Sequence, residues 1–329
     1  MSKSYTAKKT LSLLLVLFIF VILGRILYSN VGTLLRYEWH FKYHFLFASV
    51  LFLTLNYLTA AYVWTLILKM LGINLNFAQS FRITYLSAAG RYIPGRIWTY
   101  MSQIYLAERE GLPVRLTLVS MLLMFVSYNG IAILFFIFTL LLWENVTTIL
   151  VLVLIPLFSL ILVFISHPRV LSKTINLLLR FFSRERVELR FSYRSTLFLL
   201  GLLILDRLIF STFSYLFINS FLVLDLTSTI KFSGIFSIAV FLGMITFITP
   251  AGLGVREGVQ SYLLSMFIPI SAAILIPLAM RVYMSLGELV CFLIALRIRK
   301  TNLTYPIPFL KKKIPQAETF SLPQTKVKL

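Results

Sequence analysis

Long apolar runs separated by short polar connections make up most of this chain. A run of roughly 18 to 20 apolar residues is long enough to cross the hydrocarbon core of a bilayer as a helix. A membrane barrel would instead show alternating segments of about ten residues, and the chain has no such alternation. The pattern predicts membrane-spanning helices over residues 11–28, 45–68, 116–142, 148–166, 195–218, 231–248 and 272–296.

A further apolar segment, residues 80–107, is interrupted at a Pro–Gly pair within "RYIPGRIWTY". Pro94 and Gly95 stand between Arg91 and Arg96. Proline removes a backbone donor and glycine loosens the backbone, so one helix is expected to end here and another to begin.

A second interrupted segment, residues 250–268, opens with "TPAGLGVREG". Non-helical backbone at membrane depth is tolerated only where it is buried in protein or lines a wet cavity. A helix that begins there points free N–H groups and the positive end of its dipole at the cavity. With arginine alongside, such a break is suited to bind phosphate. The residues of the break are Pro250, Gly252 and Gly254, followed by Arg256 and Glu257.

These segments together predict an all-α fold, a polytopic integral membrane helical bundle with about seven to nine membrane segments. Two of those segments are re-entrant or discontinuous helices. Because paired broken helices in the two halves of a chain are typical of inverted-repeat transporters, an inverted repeat is a further hypothesis. We expect one transmembrane domain over residues 1–300 and a basic, disordered tail over residues 301–329. Residues 167–194 are predicted to form a basic amphipathic cytoplasmic segment at the membrane surface.

Composition supports a membrane protein: 59% of residues are hydrophobic and 13% are charged, against about 25% charged in ordinary globular domains. The formal net charge of +20 does not indicate nucleic-acid binding, because the basic residues mostly lie at the ends of apolar spans. Such placement marks orientation and contact with anionic lipid. It predicts a multi-pass protein of the cytoplasmic membrane with both termini in the cytoplasm. The basic, apolar N-terminus has no small-residue cleavage site and is interpreted as an uncleaved first span.

Four charged residues interrupt otherwise apolar spans. Asp206 and Arg207 lie within 195–218, while Arg281 and Glu288 share one face of the last span because they are two helical turns apart. Charges at such depth usually face the bundle interior and pair with one another. Glu257 with Arg281, and Asp206 with an arginine such as Arg207, are candidate ion pairs. The predicted binding residues for a lipid phosphate are Arg91, Arg96, Arg256, Glu257, Arg281 and Glu288.

No cofactor or metal is predicted. Cys291 is the single cysteine, and there is no H-E-x-x-H motif and no G-x-x-x-x-G-K-[ST] loop for ATP. The stretch "HFKYH", which includes His40 and His44, is interpreted as interfacial. Movement of a substrate would then be driven by a gradient or would be passive scrambling.

The break "TPAGLGVREG" resembles the P-x-G-x-G-x-R-E-G signature of the lysylphosphatidylglycerol synthase transmembrane-region family, also called the flippase-like domain family. "RYIPGRIWTY" with "LAEREG" resembles an earlier Pro–Gly motif of that family, and the resemblance covers essentially the whole chain. It implies a polytopic bundle that moves lipids with modified headgroups, here a standalone member without the soluble aminoacyl-transferase domain. On this resemblance the chain is more a transporter than an enzyme, and no catalytic residues are assigned.

Three functions remain open from the sequence. The first is flipping of an anionic phospholipid or a polyprenyl-phosphate-linked glycolipid, with the phosphate held by arginines and broken-helix N-termini. The second is a membrane glycosyl- or phosphotransferase using a polyprenyl-phosphate donor, although the external loop after the first span offers only Glu38, and no pair of acidic residues, for such chemistry. The third is a non-catalytic partner of a glycosyltransferase.

Overall fold

The computed structural model describes residues 41–92, 97–141, 148–181, 192–245 and 254–299, together with Arg25, Tyr28 and Gly252. These residues form helices joined by turns, and no β-strand is present among them. The predicted first span, apart from Arg25 and Tyr28, and the tail 301–329 lie outside the described residues.

The described ranges contain ten α-helices and one short 3₁₀ helix, Ala89–Tyr92, which follows α2. The α-helices are α1 (Tyr43–Met70), α2 (Phe77–Ala88), α3 (Ile97–Arg109), α4 (Val114–Leu141), α5 (Thr148–Ser166), α6 (Pro168–Phe181), α7 (Tyr193–Asn219), α8 (Leu226–Ile245), α9 (Val255–Leu264) and α10 (Ile270–Arg297).

Five of these helices are long and apolar enough to cross a membrane: α1, α4, α7, α10 and the Thr227–Met244 part of α8. The predicted all-α, polytopic membrane bundle is thereby confirmed. Helix α5 coincides with the predicted span 148–166. Its apolar stretch, Leu152–Leu162, is shorter than those of the five candidate membrane spans. Helix α6 lies within the predicted amphipathic segment 167–194; its place at the membrane surface stays a prediction.

Close packing of the spans depends on small residues. A Cβ added at Gly234 of α8 would lie 2.1 Å from Thr139 Oγ1 of α4, and one added at Gly287 of α10 would lie 2.8 Å from Tyr57 Cε2 of α1. Lipid tails are as apolar as leucine, so membrane helices associate through such close contact and through interhelical hydrogen bonds. Tyr57 also forms an interhelical hydrogen bond: its hydroxyl donates to the Met284 carbonyl at 2.6 Å.

Both predicted interruptions are present. In the first segment α2 ends at Ala88, the 3₁₀ helix follows, and α3 begins at Ile97; in the second, α8 ends at Ile245 and α9 begins at Val255. Helices α2 and α9 both pack on α10, so the two broken segments meet on one span. Four residues of the predicted breaks, Pro94, Gly95, Arg96 and Pro250, lie outside the described residues. The inverted repeat stays a hypothesis.

Candidate anion site at the broken helices

Helix α9 begins at a backbone conformation that requires glycine. Gly252 has φ 69° and Gly254 has φ 83°, and both are buried. A side chain in this part of conformational space is strained because its Cβ crowds the backbone. Gly254 is the residue that precedes the helix, and its carbonyl accepts the first helical hydrogen bond from the Gly258 N–H at 2.7 Å.

Glu257 connects this helix start to α10. One carboxylate oxygen, Oε2, accepts a hydrogen bond from the Gly254 N–H at 2.8 Å, and the other, Oε1, accepts one from Arg281 Nη1. Glu257 is completely buried, while 18% of the Arg281 side chain is exposed. The candidate pair of Glu257 with Arg281 is thus present. It also means that Glu257, rather than a ligand, satisfies the first free N–H group at this break.

Arg256 is adjacent but differently placed. Its Nη2 lies 3.6 Å from Met284 Sδ, and its Nε is buried without a hydrogen-bond partner in the described part of the chain. It forms no salt bridge with any described residue. Helix α8 packs tightly on it, since a Cβ added at Gly243 would lie 3.1 Å from Arg256 Cβ. Arg256 is therefore a fixed cation whose Nε donor is not used by any described residue.

A second ion pair joins the first broken segment to α10. Arg91, in the 3₁₀ helix, donates from Nη1 to Glu288 Oε1. This pair is more accessible than the first, because 43% of the Arg91 side chain and 14% of the Glu288 side chain are exposed. Gly90 allows the turn to lie against α3: an added Cβ would be 2.7 Å from the backbone nitrogen of Thr99.

These five residues form one electrostatic group, here named the arginine–glutamate cluster: Arg91, Arg256, Glu257, Arg281 and Glu288. Arg256 interacts electrostatically with the other four members. Three guanidinium groups and two carboxylates leave the cluster with one net positive charge. Arg281 and Glu288 lie on either side of the midpoint of the 28-residue helix α10, so the cluster lies at the depth where unpaired charge is most costly.

A groove of about 550 Å³ opens beside the cluster. Its wall is mostly apolar, and Arg281 and Glu288 are the charged side chains in it. Helices α2 and α10 and the start of the 3₁₀ helix form this wall, with Tyr85, Ala88, Ala89, Arg281, Val282, Ser285, Leu286, Glu288, Leu289 and Phe292. An apolar groove with a few charges suits an amphipathic ligand that has a charged head.

Asp206 and Arg207 lie elsewhere, in the middle of α7. They do not form a salt bridge with each other. Consecutive helix residues point in different directions: Asp206 accepts a hydrogen bond from Thr59 of α1, whereas the Arg207 guanidinium lies over the Tyr128 ring of α4. Asp206 and Arg207 therefore interact only at longer range, while these direct contacts are with neutral groups.

Three contributors to the site were not predicted: Gly90, Gly243 and Met284. Of these three residues, only the two glycines could have been found from the sequence, because each interrupts an apolar stretch near a break. No group of three or more His, Cys, Asp or Glu residues in the described ranges could hold a metal ion.

A family model described as the lysylphosphatidylglycerol synthase TM region matches residues 10–287. The match includes both broken segments and every predicted phosphate-binding residue except Glu288. No curated protein and no solved structure matches the chain significantly. The long apolar helices and the family together make this a multi-pass membrane protein with a role connected to membrane lipid.

Proposed function

Since the chain belongs to the lysylphosphatidylglycerol synthase transmembrane-region family, we propose that it translocates an anionic lipid or lipid-linked sugar across the cytoplasmic membrane. The observation that carries this proposal is the arginine–glutamate cluster beside an apolar groove, at the middle of α10. Transporter sites built from broken helices lie at this depth.

The cluster suits the phosphate of a lipid headgroup. Its net charge of +1 is neutralised by one phosphodiester, and guanidinium groups bind phosphate oxygens with paired hydrogen bonds. Arg281 is on the groove wall, and Arg256 has an Nε donor that no described residue uses. The apolar wall would accept the parts of the lipid next to the headgroup, while the acyl chains remain in the bilayer.

The two ion pairs would have different roles during transport. The buried Glu257–Arg281 pair fixes α9 on α10 and positions Arg281. Glu288 lines the groove and 43% of the Arg91 side chain is exposed, so a lipid phosphate can compete with Glu288 for Arg91. When it does, the 3₁₀ helix loses this ionic contact with α10, which favours movement of the first broken segment relative to that span.

The test is protein-dependent movement of fluorescent lipids between leaflets of proteoliposomes. The panel contains phosphatidylglycerol and a polyprenyl-phosphate sugar. Phosphatidylcholine, which has no net charge, is the control. We expect faster flipping of an anionic lipid than of phosphatidylcholine, and the lipid that moves fastest identifies the substrate class. If folded protein flips none of them, the proposal is wrong, and sugar transfer in the same liposomes tests the transferase alternative.

A further inference from the structure

A second polar cluster lies at the centre of the bundle, apart from the arginine–glutamate cluster. Asp206 is the middle residue of α7, which runs from residue 193 to residue 219. Asn56 lies at the middle of α1, and Thr59 lies within one turn of it. Tyr128 lies at the middle of α4. Three spans thus bring polar side chains together at the depth where they are most costly, which marks a functional site.

The carboxyl group of Asp206 has neutral hydrogen-bond donors. It is buried, with 3% exposed, and its Oδ1 accepts from Thr59 Oγ1 at 2.6 Å and from Asn56 Nδ2 at 3.0 Å. A carboxylate held by neutral groups in an apolar environment is costly, and protonation removes that cost.

The site also accommodates the protonated form. The Thr59 hydroxyl has a second acceptor, the Leu55 carbonyl, at 3.0 Å. When Asp206 is ionised, Thr59 donates to it; when Asp206 is protonated, Thr59 can donate to Leu55 and accept the carboxyl proton. Because a hydroxyl is both donor and acceptor, Thr59 can keep a hydrogen bond to Asp206 in both states.

The titratable and charged groups that act on the carboxyl, within the described chain, are Arg207 of α7 and Tyr128 of α4. The Arg207 guanidinium lies 5.8 Å from the centre of the Tyr128 ring and forms no salt bridge with a described residue. It remains charged at every accessible pH and favours the ionised carboxyl from a distance. The buried Tyr128 hydroxyl also acts on the Asp206 carboxyl, as a hydrogen-bonding neighbour from α4.

A continuous set of contacts joins Asp206 to the anion site. Asn56, which donates to Asp206, is followed in α1 by Tyr57. The Tyr57 hydroxyl donates to the Met284 carbonyl at 2.6 Å, and Met284 Sδ contacts Arg256. The Tyr57 carbonyl in turn accepts from Tyr85, which lines the groove. A displacement of α1 at Asn56 would therefore be transmitted to the wall of the groove.

We infer that Asp206 is a proton-binding site that couples lipid movement to a proton gradient. This inference rests on the proposed lipid translocation. In each cycle one proton adds to the Asp206 carboxylate from one side of the membrane and is released as H⁺ to the other. No other reactant is consumed.

Proton binding is tested directly, without lipid transport, by infrared titration of the full chain in lipid nanodiscs. We expect a carboxylic-acid C=O stretching band that disappears as pH rises, that is absent from Asp206→Asn, and that persists in Asp225→Asn. Asp225 is an exposed acid between α7 and α8 and serves as the matched control. Thr59→Val, which removes one donor to the carboxylate, should shift the titration to higher pH. A spectrum unchanged by Asp206→Asn, or a band that does not titrate, overturns the inference.

Coupling is tested in proteoliposomes with an imposed pH gradient and the membrane potential clamped. Wild type should flip the anionic lipid several-fold faster with the gradient in one direction than without it, whereas Asp206→Asn should be insensitive to the gradient. Tyr57→Phe should keep the infrared titration and lose most of the gradient effect. If wild type flips lipid but ignores the gradient, coupling by Asp206 is wrong while translocation stands. If nothing flips, translocation fails, and the infrared result alone decides whether Asp206 binds a proton.

Discussion

Glu257 and Arg281 form an ion pair that fastens the first turn of α9 to the middle of α10. The same carboxylate accepts the Gly254 N–H, so one side chain determines both where the helix starts and where it packs. The start of α9 after the break thereby fixes the positions of two arginines, Arg256 and Arg281.

Removal of Arg281 should destabilise the protein strongly. In Arg281→Met the fully buried Glu257 loses its counter-ion, and loss of one partner of a buried pair costs about 3–5 kcal/mol. The free energy of unfolding in detergent measures this cost. The double variant Glu257→Gln/Arg281→Met should recover part of it because no buried carboxylate is left without its counter-ion. A double variant that is less stable than Arg281→Met would contradict the account.

Gly254→Ala should be destabilising because of backbone strain. Its φ of 83° is unfavourable for alanine, and residues held in such regions cost about 1–3 kcal/mol. The matched control is Gly201→Ala in α7, where an added Cβ meets nothing within 4 Å; it should be neutral or slightly stabilising. Equal thermal stability of the two variants would show that the conformation at Gly254 is not required.

Gly234→Ala should loosen the packing of α8 on α4. The added Cβ would lie 2.1 Å from Thr139 Oγ1, and overpacking typically costs about 1–3 kcal/mol. Combining it with Thr139→Gly, which removes the obstructing atoms, should restore stability relative to Gly234→Ala alone. Thermal unfolding of the wild type and three variants forms the cycle, and simple additivity would refute direct contact.

Glu288→Gln should strengthen binding of an anionic lipid. The substitution removes the carboxylate that pairs with Arg91 and raises the net charge of the cluster. We expect roughly tenfold tighter binding of short-chain phosphatidylglycerol, equivalent to about 1.4 kcal/mol, with binding of phosphatidylcholine unchanged. Calorimetric titration measures both. Weaker phosphatidylglycerol binding in this variant would mean that Glu288 does not compete with phosphate.

The helices and their interruptions could be predicted from the sequence because they depend on local properties. Apolar length determines the spans, and Gly252 and Gly254, with positive φ, mark where α9 begins. The sequence predicts Glu257 with Arg281 as a candidate ion pair because an unpaired charge in the hydrocarbon of a membrane is costly. Nothing in the sequence, however, decides which of several arginines each acid contacts.

The remaining contacts depend on tertiary packing. Arg91 and Glu288 are 197 positions apart, and their contact requires α2 and α10 to be neighbours. Asp206 was expected beside an arginine, but the direction of its side chain on α7 brings it to Thr59 of α1 instead. The approach of Gly243 to Arg256 likewise follows from how α8 and α9 cross, which no periodicity reveals.

The most direct test of the central claim compares flipping of the anionic lipid by wild type, Arg256→Ala, Arg256→Lys and Arg297→Ala in proteoliposomes. Arg297 is an exposed arginine at the end of α10 and controls for loss of charge. Loss of a charge-assisted hydrogen bond worth about 2 kcal/mol weakens phosphate binding about thirtyfold. We predict that Arg256→Ala loses most protein-dependent flipping while remaining folded, that Arg256→Lys retains part of it, and that Arg297→Ala matches wild type. Folded Arg256→Ala protein that flips the lipid at the wild-type rate would contradict an anion site at the broken helices.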